Sequence, residues 1–409
     1  MTNLKYIIFC LIFVYFANIS LALYPVDCFS YYDFQNGILF DSFNPEKIVY
    51  KAGDTIKFSY NLVNRMDSPI TEGRTRVQIF YNDEIDGEII IDEFFLEEKI
   101  SMQPGDALKK DFEWKIPNNA KSGEYVTKLY FIVGKYFNLG GISFLAYGPP
   151  GFPGAITKFN VRNDALESRI YFSKENTYFN NKKYTFGTFF PEIEQNTPIT
   201  VKTYLINDGQ ERNAEIEINI YEWDDTANLP IGEYTKKENI FLERNSIKTI
   251  EFSVPPLSPG AYQIKFVAKS GEETSILKIR FSVIGENGRF IYMGVTNFPL
   301  IANENATFFI CLSNSADYFS SFEGVIKIYA YDREGNMIFS DETREEILPR
   351  PMGFASNLFP IKDYKYLTLV GELYDNYGKL HDREIIVYDY SNFPFIPAFL
   401  SLSTEKNEY

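Results

Sequence analysis

The chain has 409 residues, 45% of them hydrophobic, with 38 Phe and 30 Tyr against 2 Trp; that length suits about three domains with buried cores. Its 55 acidic residues outnumber 40 basic ones, for a net charge of −15, so it repels a phosphate backbone and no nucleic-acid partner is expected. A single histidine, His381, leaves no His-rich zinc site and makes any Ser-His-Asp triad or histidine base depend on one residue.

Residues 1–22 read as a signal peptide. Lys5 gives the positive start, Tyr6 to Ala17 form an uncharged apolar run, and Ser20-Leu21-Ala22 offers small residues to a peptidase. The apolar run falls short of the ~20 residues of a spanning helix. We therefore expect cleavage after Ala22 rather than an uncleaved anchor, and a secreted or cell-surface protein in either case. Cys10 leaves with the signal. Cys28 has no small-residue lipobox before it, so no lipid anchor is expected. A bridge between Cys28 and Cys311 would staple the ends of the molecule; two unpaired thiols are the expectation.

Beyond residue 22, short alternating apolar runs separated by turns predict an all-β chain. One order of runs occurs three times. The first run is Ile56 to Leu62 before Val63-Asn64, Ile199 to Leu205 before Ile206-Asn207-Asp208-Gly209, and Ala306 to Leu312 before Ser313-Asn314. A period of two puts Ile56, Phe58, Tyr60 and Leu62 on one face; the matching sets are Ile199, Val201, Thr203, Leu205 and Ala306, Phe308, Ile310, Leu312. The second run is Val77 to Tyr81, Ile216 to Ile220, and Val325 to Tyr331, with Ile216 to Ile220 expected on a sheet with one wet face. The third run ends at proline in two copies, Phe112 to Pro117 and Ile250 to Pro255, because proline has no amide to donate. Gly123-Glu124-Tyr125 and Gly260-Ala261-Tyr262 then open the next strands. The third copy lacks this element and runs from Tyr364 to Tyr374 as one β segment, with hairpin turns at Asp332 to Gly335 and at Asn376-Tyr377-Gly378.

Alternating strands with regular turns are the mark of the β-sandwich. The expected architecture is three tandem immunoglobulin-like β-sandwich domains after the signal, at 24–163, 164–285 and 286–390, with a C-terminal tail at 391–409. The order of runs, through Leu205 to Gly209 and Ser258-Pro259-Gly260-Ala261-Tyr262, resembles CARDB-type (cell-adhesion-related) and other Ig-like domains of secreted archaeal and bacterial proteins, best over 196–284. The resemblance implies a cell-surface or secreted role and brings no catalytic residues. Short joins at Asn160 to Asn163 and Gly285 to Gly288 predict domains set end to end.

Few features point to a site. The first domain carries an insertion at 134–154, rich in Gly and Pro, with Tyr136, Phe137, Phe144, Tyr147 and Phe152. Those rings form a candidate binding loop for a sugar or a protein, or cover the sandwich's own edge. The tail segment Phe393 to Leu400 is apolar, is broken by two prolines, and is too short to span a bilayer. Asp224-Asp225 invites a calcium reading but lacks EF-hand spacing, and Asp332 to Asn336 reads as a hairpin turn. Asn305-Ala306-Thr307 is a glycosylation sequon. No P-loop, GxGxxG, HExxH or paired CxxC occurs. The expectation is no catalytic residue, no cofactor and no metal. The functional reading is a structural or adhesive surface protein with a protein or glycan partner; the alternative is a carbohydrate-binding or carbohydrate-processing protein using aromatic platforms and acidic pairs. On the first reading, no deep concave site lined by paired carboxylates is expected, and one in the first domain would favour the enzyme.

Overall fold

The computed structural model describes residues 23–28, 38–65, 70–96, 99–102, 105–133, 137–139, 142–144, 154–164, 167–187, 191–222, 230–314 and 321–389. The chain is all-β: most described residues lie in strands, with a short 3₁₀ turn at Gly232–Tyr234. Among the described residues no helix is long and apolar enough to cross a membrane.

The alternation in the sequence becomes burial. In the strand Thr55–Asn64, Ile56, Phe58, Tyr60 and Leu62 are all buried while Lys57 and Ser59 face water. In Ile199–Asn207, Ile199, Val201, Thr203 and Leu205 point inward. In Arg212–Glu222 the alternation runs cleanly from Ala214 to Ile218. Ala107–Lys115 and Ser246–Val254 stop just before the two prolines, and Gly123–Val133 and Gly260–Ser270 begin at the two glycines. The Gly-x-Tyr element has a purpose the sequence pattern did not reveal. Tyr125 donates its hydroxyl to the Lys121 carbonyl at 2.8 Å, and Tyr262 to the Ser258 carbonyl at 2.9 Å. Each buried ring thus pins the turn that feeds its strand, as in the tyrosine corner of Ig-like domains.

Among the described residues three large hydrophobic cores result. The first is centred on Phe58, Phe112, Trp114 and Phe159, the second on Ile216, Phe252, Phe266 and Phe281, and the third on Phe308, Ile326, Phe354 and Leu369. In the third, the sheet with Gly288–Val295, Ala306–Asn314 and Met352–Leu358 faces the sheet with Met337–Ile347, Phe322–Tyr331, Tyr366–Asp375 and Leu380–Asp389.

The arrangement departs from the end-to-end expectation in three places. First, the outer sheets of the first two cores meet edge to edge. Gly87–Phe95 pairs with Glu273–Val283 at Ile90 and Ile276, so that one eleven-stranded sheet runs through both cores. Second, the segment expected to open the first domain belongs to the third. Tyr24–Val26 lies antiparallel to Met352–Leu358, and Leu23 packs into the third core. Gly353 allows this approach: a Cβ there would lie 2.6 Å from the Val26 carbonyl oxygen and 2.9 Å from the Cys28 nitrogen. Third, Cys28 and Cys311, expected as free thiols, form a disulfide with Cα atoms 5.3 Å apart. Pairings between residues 283 apart leave no local trace in a sequence. The strand Ala306–Asn314 is consequently buried along all nine residues. One face fills the third core, and on the other Cys311 joins Ile291 against the first core.

Candidate functional site

The sequence-predicted loop contributes only backbone. Phe137 and Phe144 are paired across a two-stranded hairpin, Phe137–Leu139 with Ile142–Phe144; Tyr136, Tyr147 and Phe152 lie outside the described residues, as do Asp224-Asp225 and the apolar tail. Asn305 is exposed at the start of its strand, whereas the sequon's Thr307 is buried and donates its hydroxyl to Asn357 at 2.9 Å. Asp332 accepts the Asn336 backbone N–H at 2.8 Å and closes a hairpin around Gly335, which has a φ of 81°. It serves the turn.

The join between the first two cores concentrates polar chemistry. The Glu93 side chain, 2% exposed, receives Lys265 Nζ at 2.7 Å and Lys278 Nζ at 2.6 Å, both from the second core, and an amide N–H from Gln78. Burial pushes the Glu93 carboxyl up, but Lys278, Lys265 and Arg76 together hold it well below the usual carboxylate range. Nearby, the Arg169 guanidinium sits between the Tyr81 and Tyr171 rings, 4.4 and 4.2 Å from their centroids, and donates to Asp83 at 2.7 Å. A cleft of about 70 Å³ opens here, lined by Tyr81, Asp92, Trp114, Tyr125, Glu272 and Glu273. It collects carboxylates. Each is engaged: Asp92 by the Trp114 indole N–H at 2.9 Å, Glu272 by Lys115 at 2.5 Å and by Asn118, and Glu273 by the Ile170 N–H at 2.9 Å and by Arg212 and Asn119. Burial raises the Asp92 carboxyl above its ordinary range. The cleft therefore holds three carboxylates already engaged by donors, which serves a lock better than a proton relay.

Glu286, Asp375 and His381 place ligand-type atoms within 4.8 Å of one another. His381 Nδ1 accepts the Gly288 N–H at 3.3 Å, which assigns the proton to Nε2, facing Asp375 Oδ2 at 3.7 Å. A metal at Nε2 needs the opposite tautomer, so the arrangement suits a ring that clamps the strand Gly288–Val295. Phe322 stacks on it at 4.7 Å.

The feature that sequence reading missed is the outer face of the last sheet. With Ile326, Ile328, Ala330, Leu367, Leu369 and Leu373 turned inward, period two turns Lys327, Tyr329, Tyr331, Tyr366, Val370, Glu372 and Tyr374 outward. Registers place Tyr329 opposite Val370, and Val370 opposite Ile385; Ile385 and Val387 are 51% and 43% exposed. The Tyr329 and Tyr331 ring centroids lie 6.4 Å apart with planes at 31°. Glu342, Lys327, Glu372 and Arg383 form one row of alternating charge across four strands, paired at 3.3 Å (Lys327–Glu342) and 3.4 Å (Arg383–Glu372). Arg333 caps one end, over the Tyr366 ring at 4.9 Å and donating to Asp389 at 2.7 Å. Lys327 lies 5.5 Å from the Tyr374 centroid, and the Tyr374 hydroxyl donates to Glu372 at 2.9 Å. The signal was present in the alternation of Tyr366, Thr368, Val370, Glu372 and Tyr374, whose second face is as patterned as its first.

No family model and no curated protein matches the chain. Among solved structures it is similar to Salmonella alpha-2-macroglobulin reacted with methylamine, at 11% identity and a TM-score of 0.29 over 90% of this chain and 24% of that one. It is also similar to E. coli alpha-2-macroglobulin in its native conformation, at 10% identity and 0.27 over 89% and 23%. A Pseudomonas fluorescens alkylpurine DNA glycosylase, AlkC, bound to DNA with an abasic site analog, aligns at 15% identity and 0.24 over 31% and 30%. The chain thus spans a third or less of each of these proteins, and overlaps of this quality identify no relative.

Proposed function

We propose that the protein is an exported, non-catalytic surface or secreted protein in which three β-sandwich cores are held as one body presenting the tyrosine-lined outer face of its last sheet. The observation that carries this reading is the Cys28–Cys311 disulfide, which ties the first described residues to the third core across 283 positions. Such bridges persist in oxidising compartments outside the cytosol. This agrees with the charged start, apolar run and small-residue site of residues 1–22. The acidic surface and single histidine fit a binding or structural role better than hydrolysis. At the cleft, the donors already on Glu272 and Glu273 leave no carboxylate positioned as base opposite Asp92.

Thiol labelling tests it. Protein isolated from its native host under alkylating conditions should come from the extracellular or surface fraction, begin at Leu23, and take up no label at Cys28 or Cys311 until reduced. Recovery from the cytosol with both cysteines labelled would contradict the proposal.

A further inference from the structure

We propose that the outer face of the last sheet binds an uncharged polysaccharide laid along the strands; this rests on the reading of that face as the presented surface. The recognising chemistry has three parts. Tyr329 and Tyr331 supply two neighbouring ring surfaces, and Ile385 and Val387, at 51% and 43% exposure, widen the apolar stripe across the buried Val370. Sugar rings offer C–H faces to such surfaces, which stack without demanding a pocket. The row Glu342, Lys327, Glu372 and Arg383 borders the stripe one rung beyond Tyr329 and Ile385, and offers donors and acceptors to hydroxyl groups.

Charge balance then selects the ligand. The row alternates in sign and pairs internally, Arg333 is matched by Asp389, and Glu323, Glu346 and Arg344 at the far end add one net negative charge, so the face has no strong excess of either sign to attract an acidic or basic chain. A protein partner is less well served, because the core of a protein interface is depleted of charged residues and here four charges lie one rung from the exposed apolar residues. The stripe from Tyr366 to Tyr374 covers about 27 Å at the ordinary rise of a strand, room for several sugar units. Arg333 over Tyr366 and Lys327 beside Tyr374 fix the end rings, so that little side-chain freedom is lost on binding.

Affinity electrophoresis of the oxidised full-length protein in native gels containing soluble mixed-linkage glucan, xyloglucan or galactomannan tests the proposal, with polygalacturonate as the acidic arm. Retardation is expected in at least one neutral gel. Tyr329→Ala with Tyr331→Ala should weaken it roughly tenfold, whereas the two Tyr→Phe changes, which keep the rings, should retain most of it. Ile385→Arg, at an exposed position on the same face, should also weaken it and guards against misfolding of the double variant. Unretarded migration of the parent protein in every neutral gel overturns the proposal. So does equal retardation of folded parent and variants, or retardation by polygalacturonate alone. Thiol labelling is read independently, so export can stand when the glycan assignment fails.

Discussion

A carboxylate with 2% of its side chain exposed must be compensated where it sits, because isolated charge is costly inside a protein. Glu93 meets that requirement only when the second core brings Lys265 and Lys278 to it. Glu93→Gln leaves two buried ammonium groups facing a neutral amide and should destabilise the protein by about 3 kcal/mol. Denaturant titration at neutral pH would measure the loss. The sign with pH follows from the depressed carboxyl. Stability from Glu93 is fully present above the ordinary value of 4.5 and is lost as pH falls through the lower folded value. The parent should therefore lose stability in acid more steeply than the variant, and parallel pH profiles would count against this role. None of this was legible beforehand: Glu93 is one of 55 acidic residues, and its partners lie 172 and 185 positions away.

At the scale of the element, period-two burial was legible because it is local. Ile56 to Leu62 and Ile199 to Leu205 declare their inner faces, and the prolines and Gly-x-Tyr elements mark strand ends and starts. Edge pairing was not legible, because either edge of a strand looks alike in sequence. Tyr24–Val26 is the clearest case, three residues whose partner is Met352–Leu358. Gly353 is the residue that permits the pairing, and Gly353→Ala sets a methyl group against the Val26 and Cys28 backbone. The expected cost is about 2 kcal/mol. Amide exchange at Tyr24 and Val26 should rise sharply in the variant while exchange in Thr55–Asn64 stays slow. Unchanged protection at those two amides would show that the N-terminal strand does not depend on this contact. The outer face of the last sheet is illegible for a related reason: alternation marks the face that enters the core, and the complementary register of Tyr329, Tyr331, Tyr366 and Tyr374 carries no local sign of a role.

For the whole molecule, three separate devices tie the cores together. The continued sheet and its buried charges join the first to the second. The N-terminal strand and the disulfide bring the chain's beginning to the third. Arg289 on the third reaches Glu222 on the second at 2.9 Å. In the chain-entropy account a bridge closing so long a loop contributes on the order of 5 kcal/mol. Short linkers alone would have left tandem sandwiches free to pivot, since interfaces within a chain are commonly small and polar. A face fixed to cores tied together in this way keeps a set orientation, as the presentation proposed for it requires.

Small-angle X-ray scattering of the oxidised protein lacking residues 1–22 tests the central claim most directly. A pair-distance distribution with one maximum, fitted by the coordinates and changed little between low and high salt, is the predicted result. Successive maxima from separated bodies, with a long extended tail present before any reduction, would contradict it.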